Sequence, residues 1–443
     1  MKRLLTLLLS ATMIFSLASC GSDQGTSSAE PSKESSAAES VSSKEESKEE
    51  GSKTNSDDII INFHEHSDSE GLVDNLIDEY NAMDNGVTIV KHIIPNDDYD
   101  DKLKVLTAGA SGELDVFWVR SPSQVKQYMA NDALLDLTDY AKQSGLDLSP
   151  IENTTLVGAK NADGNFFGMP TTGSCWMLFY NKDLFDAKGL EYPIDLTWDE
   201  YATLSKQLTA EENGTKYWGG IIPNWTLNLG ATSVGEYLTA EAPMENTRKY
   251  MEVLHKLYVE DKSNPGIAEM SAGTFDINSY FGAGNIYMMV NGDWEFNLLD
   301  VPFEYGAAPL PVFEGAEKGS TVGQSSYLCV SANSKHPQEA YDFIEFATTS
   351  DAGTSIYAKT KNVPSYSTDA ALSVYKDLVK VDGVDYRFSA KINDEQGTEA
   401  NYHDLNEAFK QEMELYLLDE QSVDEAFENY FSLRDESIAN SAE

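Results

Sequence analysis

Residues 166–200 contain, in order, Phe166-Phe167-Gly168-Met169-Pro170, the small-residue link Thr171-Thr172-Gly173-Ser174, the apolar run Cys175-Trp176-Met177-Leu178-Phe179-Tyr180 with Asn181-Lys182-Asp183-Leu184-Phe185 behind it, and then Thr197-Trp198-Asp199-Glu200. The apolar run has the length and composition of a buried strand. Thr197 with Glu200 three residues on is a capping box, and it predicts a helix running to about Leu208. Ahead of the stretch, Asp163-Gly164 is a hairpin-turn pair.

Upstream, Ile59-Ile60-Ile61-Asn62-Phe63 reads as a short buried strand, and Leu72, Leu76, Ile77, Tyr80 and Met83 fall on one face of a helix. Val87 to Ile94 is a second strand, Tyr99 to Ala108 a second amphipathic helix, and Asp115-Val116-Phe117-Trp118-Val119 a third strand. Alternating strands and helices with short links predict an α/β domain with a largely parallel sheet. Downstream, helices are expected near 245–260, 338–349, 402–419 and 423–433. No solenoid period is present.

The chain has 443 residues, 41% hydrophobic and 11% aromatic, enough for a sizeable core and two or three domains. Its 31 basic and 74 acidic side chains give a formal charge of −43. Such a surface repels nucleic acid and anionic lipid, and it favours a neutral or cationic ligand where local groups do not override it. No nucleophile elbow, Walker loop, zincin helix or dinucleotide fingerprint occurs. No cofactor is expected.

Lys2 and Arg3 precede an apolar run from Leu4 to Leu17, which is too short to span a membrane as a mature helix. It ends in Leu17-Ala18-Ser19-Cys20-Gly21, which resembles a bacterial lipobox closing a signal segment over 1–20 and implies cleavage just ahead of Cys20, which becomes the lipidated mature N-terminus. Buried methylenes at about 0.8 kcal/mol each then tether the chain to a membrane by lipid alone. Residues 21–58 are mostly Ser, Glu, Lys, Ala and Gly without an aromatic, and they read as a disordered spacer. Its reach is some tens of Å, at about 5–6 Å × √n. Cys175 and Cys329 lie in strand-like runs and are expected as buried free thiols, although pairing stays open in an exported protein.

Several segments together resemble the maltose-binding type of extracellular solute-binding protein, the sugar receptors of ABC importers. They are Leu106-Thr107-Ala108-Gly109 leading to Leu114-Asp115-Val116, the stretch 168–200 quoted above, Phe281-Gly282-Ala283-Gly284-Asn285 with Met288-Met289 and Gly292-Asp293-Trp294, Tyr305 to Pro311, and Ser331 to Phe346. The resemblance covers about 59–433. It implies a type II periplasmic-binding-protein-like α/β fold of two lobes joined by crossing hinge strands, with the ligand between them. Lobe I is expected from 59–171 plus 321–350, and lobe II from 172–320 plus 351–443. Crossings are expected near Thr171–Ser174 and Ser320–Gly323. Gly173 suits a hinge that absorbs dihedral change, or it merely begins a strand.

A pyranose has an apolar face and a polar rim, so its site requires flat aromatics together with carboxylates, amides or Arg. The resemblance implies that Trp294, after its Gly-rich turn, stacks on a sugar ring; the other reading is a core Trp. Asp293 and Asn224 are taken as neighbouring polar contacts. Trp225 lies in Pro223-Asn224-Trp225-Thr226, a segment without apolar periodicity, and either faces the cleft or packs locally. Trp118 and Arg120 share a face at the carboxyl end of the third strand, where open sheets place ligands. Arg120 either forks onto the ligand or forms a structural ion pair. His64-Glu65-His66 ends the first strand; Glu65 and His66 are taken as ligand contacts, the alternatives being a surface turn or a metal pair lacking a third ligand. Ser174 stands where maltose-type relatives carry an acidic contact. Gln324 occupies the second crossing. Trp176, Trp198 and Trp218 are read as packing residues.

The leading expectation is thus a receptor, a monomer that is not an enzyme, docking on the transmembrane subunits of an ABC permease at the outer face of a bacterial membrane. The alternatives are a receptor for an amino acid or polyamine, and a glycosidase with two carboxylates.

Overall fold

The computed structural model describes residues 59–109, 112–151, 155–272, 275–397, 399 and 401–441. Cys20, the leader and the spacer lie outside these residues. The described strands are β1 (Ile59–His66), β2 (Val87–Ile94), β3 (Val116–Val119), β4 (Met169–Gly173), β5 (Trp176–Asn181), β6 (Ala210–Glu212), β7 (Thr215–Tyr217), β8 (Met288–Gly292), β9 (Tyr305–Pro309), β10 (Ser320–Gly323), β11 (Ser325–Val330) and β12 (Lys391–Asp394).

Five strands form the first sheet in the order β2-β1-β3-β11-β4. β1 runs parallel to β2 and β3, as alternation with helices Glu70–Asn81 and Tyr99–Ala108 requires, whereas β11 is antiparallel to β3 and β4. The second sheet has β5 at its centre, antiparallel to both β8 and β9. β10 and β12 form a separate parallel pair. The first sheet is therefore parallel only in its upstream half, and the second is built around an antiparallel centre. The two lobes of this α/β fold are built on these two sheets.

β5 shows why the apolar run decides the architecture. Trp176, Leu178 and Tyr180 enter one core cluster, while Cys175, Met177 and Phe179 enter the cluster on the opposite face. A strand covered on both sides must be apolar throughout. β11 does the same in the first lobe, with Leu328 and Val330 on one face and Tyr327 and Cys329 on the other. Cys175 and Cys329 are both buried free thiols, and burial pushes Cys175 up to about 12.

The capping box at Thr197 and Glu200 forms as expected and opens helix Trp198–Leu208. The Asp163-Gly164 turn forms with Gly164 at φ 87°, but its arms are joined only by an isolated bridge from Lys160 to Phe166. Met83 does not complete its helix face, because that helix ends at Asn81 and the side chain is exposed. Helix Asp351–Lys359 belongs to a segment expected in the second lobe, yet Ile356 and Tyr357 pack into the first-sheet core with Leu76 and Phe343.

Candidate ligand-binding cleft

The chain crosses between the sheets at Ser174, between β4 and β5, and at Gln324, between β10 and β11. The two crossings are bonded to each other. Ser174 N donates to Gln324 O at 2.9 Å, Ser174 Oγ donates to the same carbonyl at 3.1 Å, and Gln324 N donates to Ser174 Oγ at 2.9 Å. A third segment runs alongside, with Gly173 N bonded to Val363 O and Ser365 N to Thr171 O. Packing is so tight that a Cβ on Gly323 would lie 2.0 Å from Ser174 O. The Ser174 hydroxyl, expected as a ligand contact, bonds the second crossing here. Gln324 keeps its side chain, whose buried Oε1 has no partner.

The carboxyl ends of β1 and β3 bring Glu65, His66, Trp118 and Arg120 together. The His66 ring lies 4.5 Å from Trp118 between centroids, and its Nε2 is 3.1 Å from Ser69 Oγ. Burial holds His66 down at about 4, and the nearby Arg120 charge acts in the same direction. Burial also drives the Glu65 carboxyl well above its usual range, against the His66 amide and Arg120. Near neutral pH this wall therefore presents an uncharged imidazole beside a carboxyl whose charge burial disfavours, groups suited to hydroxyls. Arg120 takes the structural alternative. Its Nε reaches both Asp100 oxygens at 3.2 and 3.0 Å, its Nη2 donates to Asn96 Oδ1 at 2.6 Å, and its guanidinium lies 5.1 Å from the Trp118 ring centroid. It stiffens Trp118 and is not a free anion receptor. Among the described residues no group of three or more His, Cys, Asp or Glu is placed to hold a metal.

In the second lobe Trp294 is half-buried and meets Trp176 edge to face, with centroids 5.3 Å apart. Gly292 makes room for it, since a Cβ there would fall 2.0 Å from the Trp294 ring. Asp293 is engaged within the protein. Its carboxylate pairs with Arg387 at 2.5 Å and accepts from Cys175 N at 3.0 Å, so both bonds hold it inside the second lobe. Asn224 also turns inward, donating to Ser271 Oγ at 3.2 Å. Trp225 between buried neighbours is 44% exposed, so local packing is not what holds it.

Several groups escaped sequence reading. Trp176, expected as simple packing, is buried but donates Nε1 to Glu395 Oε2 at 2.8 Å. Burial lifts Glu395 to about 7, opposed by that bond, although part of the residue stays exposed. Its neighbour Gln396 accepts from Ser123 Oγ at 3.0 Å, a bond reaching into the first lobe. Glu395 and Gln396 follow β12 in a polar segment without periodicity, and only the β10–β12 pairing brings them to Trp176. No local signal marks them.

The sequence model described as bacterial extracellular solute-binding protein matches residues 66–354. A putative binding protein of Brucella abortus is 25% identical over 289 residues, covering 60% of this chain and 66% of the relative. The galactooligosaccharide-binding protein of Bacillus subtilis is 25% identical over 235 residues, covering 49% of this chain and 54% of the relative. The chain thus spans two thirds or less of these curated relatives. An ABC substrate-binding protein from Listeria monocytogenes in complex with cycloalternan superposes with a TM-score of 0.76 at 22% identity, over 86% of this chain and all of that one. A sugar transporter protein from Rhizobium etli in an open conformation gives 0.72 at 20% identity, over 85% and 99%. These likenesses establish the two-lobed type II fold. Among the described residues no helix is long and apolar enough to cross a membrane.

Proposed function

The chain belongs to the bacterial extracellular solute-binding proteins, and from that membership we propose that it captures a sugar or oligosaccharide between its lobes for an ABC importer. It releases the ligand unchanged to the transmembrane subunits of the permease, without catalysis, and is held as a monomer at the outer face by a lipid on Cys20. The observation that carries this reading is the character of the two walls. Trp118, Trp225 and Trp294 offer flat surfaces, while burial leaves His66 neutral and disfavours the charged form of Glu65 near Trp118. The galactooligosaccharide-binding relative supports the sugar class. An amino-acid ligand is disfavoured, because Arg120, the cation that would receive its carboxylate, is engaged by Asp100.

The test is a thermal-shift screen across neutral sugars, amino acids and polyamines. A ligand at a hundred times its Kd stabilises by about 2.7 kcal/mol, a clear rise in melting temperature. Neutral oligosaccharides are expected to give that rise and to be recovered intact. Shifts confined to amino acids or polyamines, or cleavage of the sugar, overturn the reading. The anchor is checked separately by Cys20→Ala, which is expected to move the protein from the membrane fraction to the medium.

A further inference from the structure

Thr226 and Asn228 are only 5% and 6% exposed; the Thr226 hydroxyl has no hydrogen-bond partner, while the Asn228 amide bonds the Tyr402 hydroxyl. Buried polar groups are normally satisfied, so the orphaned Thr226 hydroxyl calls for a cause. Both line a recess of about 30 Å³, which Trp225, Glu395, Gln396 and Tyr402 also border. That volume takes a water or a group of hydroxyl size and excludes a whole ring.

The walls have specific bonding capacity left. Glu395 uses Oε2 on Trp176 Nε1, and Gln396 uses its carbonyl oxygen on Ser123 Oγ. Glu395 Oε1 and the Gln396 amide nitrogen remain, with the Thr226 hydroxyl. Donors and acceptors thus converge on a space that suits a hydroxyl, which itself both donates and accepts. No Lys, Arg or His lines the recess. An anion entering it would meet the Glu395 carboxyl with no cation to offset the charge.

We propose that this recess is a terminal subsite, which takes one uncharged hydroxyl or hydroxymethyl arm at the end of the ligand and rejects a carboxylate or phosphate there. Trp225 at its border supports the ring that carries the arm. The bond from Gln396 to Ser123 joins the subsite to the opposite lobe, so filling it favours the closed arrangement. The inference rests on the sugar-receptor reading above.

Calorimetric titration of the full chain with maltotriose, galactotriose, mannotriose and arabinotriose identifies a neutral binder. That binder is then compared with its counterpart oxidised to a uronic acid at the terminal ring. Wild type is expected to bind the neutral form at least about tenfold more tightly than the acid. Thr226→Val and Glu395→Gln are expected to weaken the neutral form by roughly tenfold each. Thr226→Val preserves volume, and Glu395→Gln retains an acceptor for Trp176, so unchanged melting temperatures show that both variants fold. Equal binding of acid and neutral forms, or unchanged affinity in both variants, overturns the subsite while leaving the receptor reading intact. A wild type that binds none of the four neutral sugars overturns that reading and the subsite with it.

Discussion

Arg387 Nε stands 2.5 Å from Asp293 Oδ2, and both side chains are 7% exposed. Arg387 also donates to Gly173 O at the end of β4, so one guanidinium joins the strand that leads into the first crossing to the residue that follows β8. Burial pushes Asp293 up, and Arg387 pulls it back. Removing one partner of such a pair leaves the other charge buried and uncompensated. Asp293→Asn is therefore expected to cost about 3 kcal/mol in urea unfolding, with Arg387→Met in the same background recovering part of the loss. Additive losses in the double variant show that the pair is not coupled.

The two exposed-to-buried aromatics of the second lobe separate binding from folding. Trp225→Ala is expected to lower oligosaccharide affinity about tenfold or more with little change in melting temperature, because the ring is 44% exposed. Trp294→Ala is expected to lower both, since the ring also packs edge to face on Trp176. Gly292→Ala should resemble Trp294→Ala in binding, as its new methyl occupies the space of the indole. Unimpaired binding in Gly292→Ala excludes Trp294 as a ligand platform.

The bond from Ser123 Oγ to Gln396 Oε1 spans the lobes. A bond of this kind contributes about 0.5–1.5 kcal/mol. Ser123→Ala is expected to weaken ligand affinity by about two- to tenfold and to raise the radius of gyration of the unliganded protein in X-ray scattering. An unchanged radius and affinity show that the contact does not bear on closure.

Glu295 provides a pH test. It is 1% exposed; burial lifts its carboxyl to about 8, Asp276 pushes the same way, and bonds from Trp294 and Asn278 oppose them. The folded state holds the proton more tightly than the unfolded chain, whose value is near 4.5. Stability is therefore full below 4.5 and falls as pH rises through about 8. Glu295→Gln retains the bond to Asn291 and removes the titration, so it is expected to stabilise at pH 9 relative to pH 5, by at most a few kcal/mol. Equal unfolding midpoints relative to wild type at both pH values refute the assignment.

Local chemistry made much of the fold legible before any coordinates. The run from Cys175 to Tyr180 is apolar at every position because both faces of β5 are covered, and Thr197 with Glu200 caps a helix through bonds only three residues apart. Patterns of that kind are carried by neighbours in the chain. The placement of Trp118, His66 and Glu65 at the carboxyl ends of strands was legible for the same reason, since the alternation of those strands is visible. The commitments of polar groups were not legible. Arg120 is claimed by Asp100, Asp293 by Arg387 and Ser174 by Gln324, and each of these partners lies 20 or more residues away.

By itself the sequence determined the apolar strands from β1 to β3 and β5 and the helix capped by Thr197, because side-chain period and turn chemistry act over a few residues. Only the tertiary structure decided which polar side chains remain available to a ligand. Burial and pairing are properties of what the fold brings alongside, as when β10 pairs with β12 and carries Glu395 and Gln396 to Trp176 and Ser123.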